Sequence, residues 1–178
     1  MAFIREKKFK KIVSIETNAE SPKQLLDFAK SHNIETEPLD VVSLVRAMGL
    51  TVRFEPMEDQ ISGKLVKDKK SGDWIIFVNS LHHPHRQRFT IAHELAHYCM
   101  HSPRQDTFQD MAFFRKDNFP PYEKEANRFA AELLMPEKSF REQVEKSPQV
   151  ENIAKYFKAS SSAVIYRAEE LGYKRSNR

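Results

Sequence analysis

The sequence lacks the features that mark secreted, membrane-spanning and low-complexity proteins. Its 178 residues include one cysteine, Cys99, which excludes an internal disulfide framework. It contains no run of about 18 apolar residues, so it predicts no helix that spans a bilayer. The basic N-terminus, residues 1–11, has no apolar run behind it and therefore does not resemble a secretory signal. With these classes excluded, we expect a cytoplasmic protein.

Glycine is also scarce, at 4 residues, whereas hydrophobic residues make up 40% and charged residues 30% of the chain. This balance excludes disorder over most of the length and is typical of a folded chain with one core of ordinary size. The formal charge is +4, and much of the excess lies near the two termini, in 5–11 and 174–178. Because no dense basic stripe with interleaved aromatic residues accompanies it, we expect solvated tails and no direct binding of nucleic acid.

The spacing of apolar residues predicts an α+β chain in which a small sheet separates two groups of helices. Ser21-Pro22 and Asp40 each begin a helix, and Gly49 ends the second one. Three apolar segments then predict an antiparallel sheet of about three strands, and a long helix follows, whereas 102–118 has no period and predicts a loop. The strands are expected at 50–54, 61–66 and 74–78, and the later helices at 84–101, 122–135, 137–146, 149–158 and 160–171.

These elements suggest three parts: a basic N-terminal arm at 1–20, a main domain at 21–146 and a C-terminal helical pair at 147–178. The pair consists of two short helices joined by a turn, in the order and spacing of a helix–turn–helix motif. Arg167 and Lys174 are too few cations for a convincing DNA-binding surface, so we expect the pair to pack on the main domain or to be appended to it. A non-catalytic module that binds DNA or a repressor stays the alternative.

The helix expected at 84–101 contains the motif H-E-x-x-H, formed by His93, Glu94 and His97. Residues four apart on an α-helix lie about 40° apart around the axis and about 6 Å apart along it, so both imidazoles can bind one ion. Zinc accepts imidazole nitrogen readily. Glu94 lies about 100° further around the helix, beside the ion, where a general base can accept a proton from metal-bound water.

A third protein ligand is expected, and the following helix offers three glutamates. Glu125 is favoured because small residues that permit close helix packing follow it. Glu123 lies nearer the prolines, where we expect an exposed side chain, and Glu132 is expected beside the ligands. His101 could reach the ion only if the first helix bent.

Residues 88–98, which contain H-E-x-x-H, and residues 125–136, which begin Glu125-Ala126-Asn127, form two motifs. Together these motifs closely resemble the ImmA/IrrE family of metallopeptidases. The strand end at 77–79 and the tail at 153–172 are also similar to that family, so the resemblance covers roughly 40–172. The paired segments are far more specific than H-E-x-x-H alone. They read Arg88-Phe89-Thr90-Ile91-Ala92-His93-Glu94-Leu95-Ala96-His97-Tyr98 and Glu125-Ala126-Asn127-Arg128-Phe129-Ala130-Ala131-Glu132-Leu133-Leu134-Met135-Pro136.

The resemblance implies a mostly helical, zincin-like α+β fold whose small sheet packs beside the active-site helix. It also implies Zn²⁺ held by His93, His97 and Glu125, with Glu94 as the catalytic residue. The residue that stabilises the oxyanion is left open by the sequence, and its candidates are Tyr98, His101, His82, His83 and His85.

The partners implied by the resemblance are proteins. Members of the family typically cleave a helix–turn–helix repressor in a mobile element or stress-response system, or form the toxin-like half of a toxin–antitoxin pair. Only two helices are predicted before the sheet, too few for the repressor-type DNA-binding domain that some members carry at the N-terminus. We therefore expect the peptidase half alone, acting on a separate repressor or antitoxin.

Overall fold

The structure, a computed structural model, describes residues 21–101, 107–111 and 120–174, with the backbone alone for His101 and 107–111. The chain begins with helix α1, Pro22–Ser31, and helix α2, Val41–Ala47. The side chain of Ser21 accepts a hydrogen bond from the backbone N–H of Gln24 at the start of α1. Asp40 caps α2 in the same way, and Gly49 follows α2 with a φ of +86°. Both helix starts and the glycine stop confirm the sequence prediction.

The sheet has four strands, β1 at Thr51–Glu55, β2 at Ile61–Lys67, β3 at Trp74–Asn79 and β4 at Thr107–Met111. Their order in the sheet is β1-β3-β2-β4. The strand β2 pairs antiparallel with both β3 and β4, whereas β1 pairs parallel with β3. The three predicted strands are therefore confirmed, and so is the antiparallel pairing of β2 with β3. The prediction of a wholly antiparallel sheet was wrong for β1, and it lacked the fourth strand.

The missed strand β4 lies inside the segment that was expected to be a loop. It pairs with β2 alone, so it is an edge strand of the described sheet. An edge strand needs no continuous apolar run, because one side of its backbone has no partner strand. The sequence of β4 therefore gave no local signal of a strand.

Helix α3, Pro84–His101, packs across β2 and β3 and beside helix α4, Pro121–Leu134. Small buried residues let the two helices approach closely, among them Ala92 and Ala96 of α3 and Ala126 and Ala130 of α4. The chain ends with α5 at Glu137–Lys146, α6 at Val150–Phe157 and α7 at Ser161–Glu170. The α+β class is confirmed, and α3 occupies the predicted range.

The C-terminal helices share the core of the preceding elements. Ile153 and Phe157 of α6 and Val164 of α7 belong to the same buried cluster as the helices and strands before them. The ring of Phe157 stacks on that of Phe140 in α5 at a centroid distance of 6.1 Å. Division of the chain at 146 stays a prediction, and the arm at 1–20 lies outside the described residues. Among the helices described, none has the length and apolar character needed to cross a membrane.

Candidate metal centre

Two histidines of α3 and one glutamate of α4 converge on one buried point. His93 and His97 are both fully buried, and their Nε2 atoms lie 2.9 Å apart. Oε2 of Glu123 lies 3.0 Å from Nε2 of His93, and Oε1 lies 3.5 Å from Nε2 of His97. One ligand atom from each residue falls within 4.8 Å of the other two. Two imidazoles and one carboxylate that leave a further position open are a donor set typical of a catalytic zinc ion.

The glutamate at this site is Glu123, whereas the sequence prediction named Glu125. The side chain of Glu125 is exposed, and that of Glu123 is 9% exposed. The buried face of α4 explains the difference, because Glu123, Ala126 and Ala130 follow one another at helical spacing. Glu125 precedes Ala126 by one residue, about 100° around the axis, and so lies off that face. The expectation of an exposed Glu123 neglected that α3 covers the first turn of α4.

Asn127 was missed by the sequence prediction and supports the first histidine. Its side chain is 5% exposed, and its Oδ1 lies 3.0 Å from Nδ1 of His93. An amide oxygen only accepts hydrogen bonds, so Nδ1 of His93 donates and Nε2 keeps its lone pair for a metal. The signal was present in the sequence, because Asn127 follows Glu123 by four residues and therefore shares its face of α4.

The ionisation states of His93 and Glu123 suit metal binding at neutral pH. Burial lowers the pKa of His93 to about 4, which leaves a neutral imidazole. Burial opposes the ionisation of Glu123, but the ring nitrogens of His93 and His97 beside it outweigh burial and lower its pKa to about 2. A neutral imidazole and an ionised carboxylate are the forms that coordinate a cation, so neither His93 nor Glu123 has to give up a proton when a metal binds.

Glu94 lies next to the metal ligands, on the side of α3 that faces β2. Its side chain is fully buried, and it is not one of the three residues whose ligand atoms converge. Thr90 and Arg86 precede it at four-residue intervals and form the same stripe of α3. Arg86 donates from its guanidinium to the hydroxyl of Ser62 in β2, at 3.0 Å. The catalytic role of Glu94 stays a prediction, and its place beside the ligands suits a base.

The strand β2 approaches α3 most closely at Gly63, where the pairing of β2 with β4 is irregular. A Cβ at this position would lie 2.5 Å from Cγ2 of Thr90, 2.6 Å from the backbone oxygen of Phe77 and 3.4 Å from Oε1 of Glu94. The absence of a side chain on Gly63 is therefore what lets β2 lie against Thr90 and Glu94.

We expect Gly63→Ala to lower the free energy of unfolding by about 1–3 kcal/mol, because β2 or α3 must move to admit the methyl group. Urea denaturation measures this change. The matched control is Gly72→Ala, at a turn glycine with a φ of +78° and no atom within 4 Å of the added Cβ. Backbone strain should destabilise that variant too, but its activity per folded molecule should be unchanged, whereas that of Gly63→Ala should fall. Equal activity in both variants would contradict the role assigned to Gly63.

The other residues expected near the metal have different surroundings. Tyr98 packs edge-on against Trp74 of β3, at a centroid distance of 5.8 Å, and so faces the sheet. Glu132 follows Glu123 by nine residues, about half a turn away around α4, and is half-buried. Neither residue is brought to the site. The side chain of His101 lies outside the described part of the structure.

The other histidines proposed to stabilise the oxyanion contact residues away from the metal ligands, whereas one further aromatic residue lies beside a ligand. Nε2 of His82 lies 3.1 Å from the backbone oxygen of Asp59 in the β1–β2 connection. His83 and His85 contact each other, with ring centroids 4.7 Å apart. The ring of Tyr122 lies 6.1 Å from that of His97, and Tyr122 is 42% exposed, so it is an accessible aromatic residue beside a ligand. Sequence reasoning missed Tyr122.

Together the helix with H-E-x-x-H, the mixed sheet beside it and a glutamate from the next helix define a zincin-like metallopeptidase fold. The family model described as the IrrE N-terminal-like domain matches residues 45–169. The chain therefore belongs to the ImmA/IrrE family of metallopeptidases, as its motifs suggested.

Two individual proteins are similar to the chain. It is 34% identical over 121 residues to the metallopeptidase ImmA of Bacillus subtilis (strain 168), a match that covers 64% of this chain and 66% of ImmA. A solved structure of a transcriptional regulator from Mycobacterium tuberculosis has the same fold, with a TM-score of 0.56 and 16% identity. That match covers 88% of this chain and 48% of the regulator, so the chain spans less than half of that protein.

Proposed function

We propose that this protein is a zinc-dependent endopeptidase that cleaves a partner protein. The observation that carries the proposal is the convergence of His93, His97 and Glu123 on one point, with Glu94 buried beside them. The similarity to ImmA supports the same reaction class. A purely regulatory module would not need a glutamate buried beside these three residues, whereas a peptidase needs a proton acceptor there.

His93, His97 and Glu123 would hold the zinc ion, and Asn127 would fix the ring of His93 in the ligating tautomer. Bound zinc lowers the pKa of a coordinated water to about 7 and polarises the carbonyl oxygen of the scissile bond. Glu94 would accept a proton from the attacking water and later donate it to the leaving amine nitrogen. One C–O bond forms, one C–N bond breaks, and the proton lost by water ends on the new amine.

The substrate that we propose is a helix–turn–helix repressor encoded in a mobile element or stress-response system. The support for this choice is the family resemblance, together with the similarity of the fold to a protein named as a transcriptional regulator. Such a repressor acts on DNA in the cytoplasm, so the proposed place of action is cytoplasmic. Cleavage would separate the DNA-binding part of the repressor from the rest and relieve repression.

The neighbouring genes should first be searched for one that encodes a helix–turn–helix protein, and co-expression with that protein tests this proposal. With the wild-type protein we expect two fragments of the partner, whose masses add up to the intact chain plus one water. With Glu94→Gln the partner should stay intact. Fragments of equal yield in both cultures would show that another protease made them, and an intact partner in both would exclude it as the substrate.

A further inference from the structure

A second concave site lies at the N-terminal end of the active-site helix and is lined by cations. We call it the basic cleft. Its volume is about 900 Å³, and it lies between the start of α3 and the turn that joins α6 to α7. Its charged and imidazole side chains are His83, His85, Arg86, Lys155, Lys158 and Glu151. The cleft therefore presents the cations of Lys155 and Lys158 and two histidines against a single carboxylate, while the guanidinium of Arg86 donates to Ser62 in β2.

The two lysines of the basic cleft are exposed and available to a ligand. Across 21–101, 107–111 and 120–174, neither Lys155 nor Lys158 forms an ion pair with an acidic side chain. Lys158 adopts a left-handed backbone conformation, with a φ of 50°, and this residue turns the chain from α6 towards α7. Lys158 therefore lies at the turn itself, and Lys155 lies three residues earlier in α6.

The surroundings of His85 carry the same excess of positive charge. Burial lowers the pKa of His85, and the neighbouring charge of His83 lowers it further. The cation of Lys158 acts in the same direction. The first turns of α3 and α7 also reach the cleft, through His85 and Ser161, and the N-terminal ends of helices favour anions. The side chains and the helix ends therefore both favour a negatively charged ligand.

We propose that the basic cleft is an exosite that binds an acidic segment of the protein substrate while another segment lies at the metal centre. This proposal rests on the proposed peptidase function. Arg86 precedes His93 and His97 on the same helix, and the helical rise places the cleft about 10–16 Å from the ligands along α3. An extended peptide covers that distance with about three to five residues. The separation along α3 is therefore short enough for one continuous segment of a partner to span it.

The described part of α7 argues against DNA as the occupant. In a helix–turn–helix motif the second helix enters the major groove, so its outer face needs polar or cationic side chains. Arg167 is buried instead: its Nε donates to the backbone oxygen of Met135, and its Nη1 pairs with Glu170 at 2.8 Å. Glu169 is exposed on the same helix and would repel phosphates. The positive charge is confined to a cleft, where an acidic peptide fits better than a duplex.

Binding of a fluorescein-labelled deca-glutamate peptide tests the exosite. The measurement uses full-length Glu94→Gln, so that it does not depend on catalysis. We expect Lys155→Glu/Lys158→Glu to raise the Kd by about tenfold or more, because two attractive charges become repulsive. Neither replacement is β-branched, so the turn at Lys158 should be retained. The matched control is Lys138→Glu/Lys146→Glu, which makes the same change in net charge at exposed positions of α5 and should leave the Kd unchanged.

If both double variants raised the Kd of the peptide equally, the change in net charge alone would explain the effect. That result would overturn the exosite. The exosite would also be overturned if a DNA duplex of matched charge bound more tightly than the peptide and if the cleft variant no longer bound that duplex. When a cleaved partner is in hand, the cleft variant with Glu94 intact should raise KM and leave kcat and zinc content unchanged. Peptide binding without any cleavage would count against the peptidase, whereas cleavage with no response to the cleft variant would count against the exosite alone.

Discussion

Replacing Glu123 by glutamine is expected to lower the affinity for zinc by at least about 100-fold, since changes to residues that only support a metal ligand cost about 10–100-fold. Glutamine keeps the size of the side chain but removes the negative charge that lies 3.0 Å from Nε2 of His93. The wild-type chain should bind about one zinc ion. Competition with a chromophoric chelator measures the affinity, and elemental analysis of dialysed protein measures the metal content.

The matched control for this prediction is Glu125→Gln. It makes the same chemical change two residues away, on an exposed part of α4 that does not face the histidines. Its zinc affinity should equal that of the wild type. Zinc should also raise the unfolding temperature of the wild type and of Glu125→Gln, but not that of Glu123→Gln, because a ligand stabilises only the state that binds it. If Glu123→Gln bound zinc and Glu125→Gln did not, the third ligand would be Glu125, as the sequence predicted.

The features that the sequence predicted well are those fixed by local chemistry. The two histidines of H-E-x-x-H are held together by the geometry of one helix, so their convergence needs no knowledge of the rest of the fold. The helix starts at Ser21 and Asp40 likewise depend on a side chain that caps a backbone N–H within three residues. Gly49 ends α2 because its φ of +86° is accessible to glycine without strain.

The features that the sequence did not predict depend on contacts between distant segments. β1 and β3 pair parallel although β2 lies between them in the chain, and apolar alternation carries no information about strand direction. Glu123 and Glu125 have the same side chain, and only the docking of α4 on α3 decides which one meets the histidines. A count of helical spacing from Ala126 and Ala130 would have favoured Glu123.

We expect Glu123 to bind the metal and Glu94 to transfer the proton. Both are glutamates beside the same histidines, and Glu123 brings Oε2 to 3.0 Å from Nε2 of His93 and Oε1 to 3.5 Å from Nε2 of His97. The carboxylate of Glu94 lies on the side of α3 that β2 covers, near Gly63. If this division is correct, one variant loses the metal and the other keeps it. Their comparison is therefore more informative than the loss of activity in either variant alone.

We accordingly expect Glu94→Gln to keep its zinc and to lose about 10²–10⁴-fold in kcat, the usual contribution of a general acid–base group. Glutamine fills the same buried volume but cannot accept a proton from water. Elemental analysis should give the wild-type zinc content, and single-turnover cleavage of the partner should give the rate. Circular dichroism verifies that the fold is retained.

Glu94→Asp is the matched control, since it keeps the carboxylate but withdraws it by one methylene. We expect a rate between those of the wild type and Glu94→Gln, because the proton acceptor is present at the wrong distance. A Glu94→Gln protein that cleaves at the wild-type rate would exclude Glu94 as the base. Loss of zinc from Glu94→Gln would instead place this carboxylate among the metal ligands, and the geometry of three converging residues would then be incomplete.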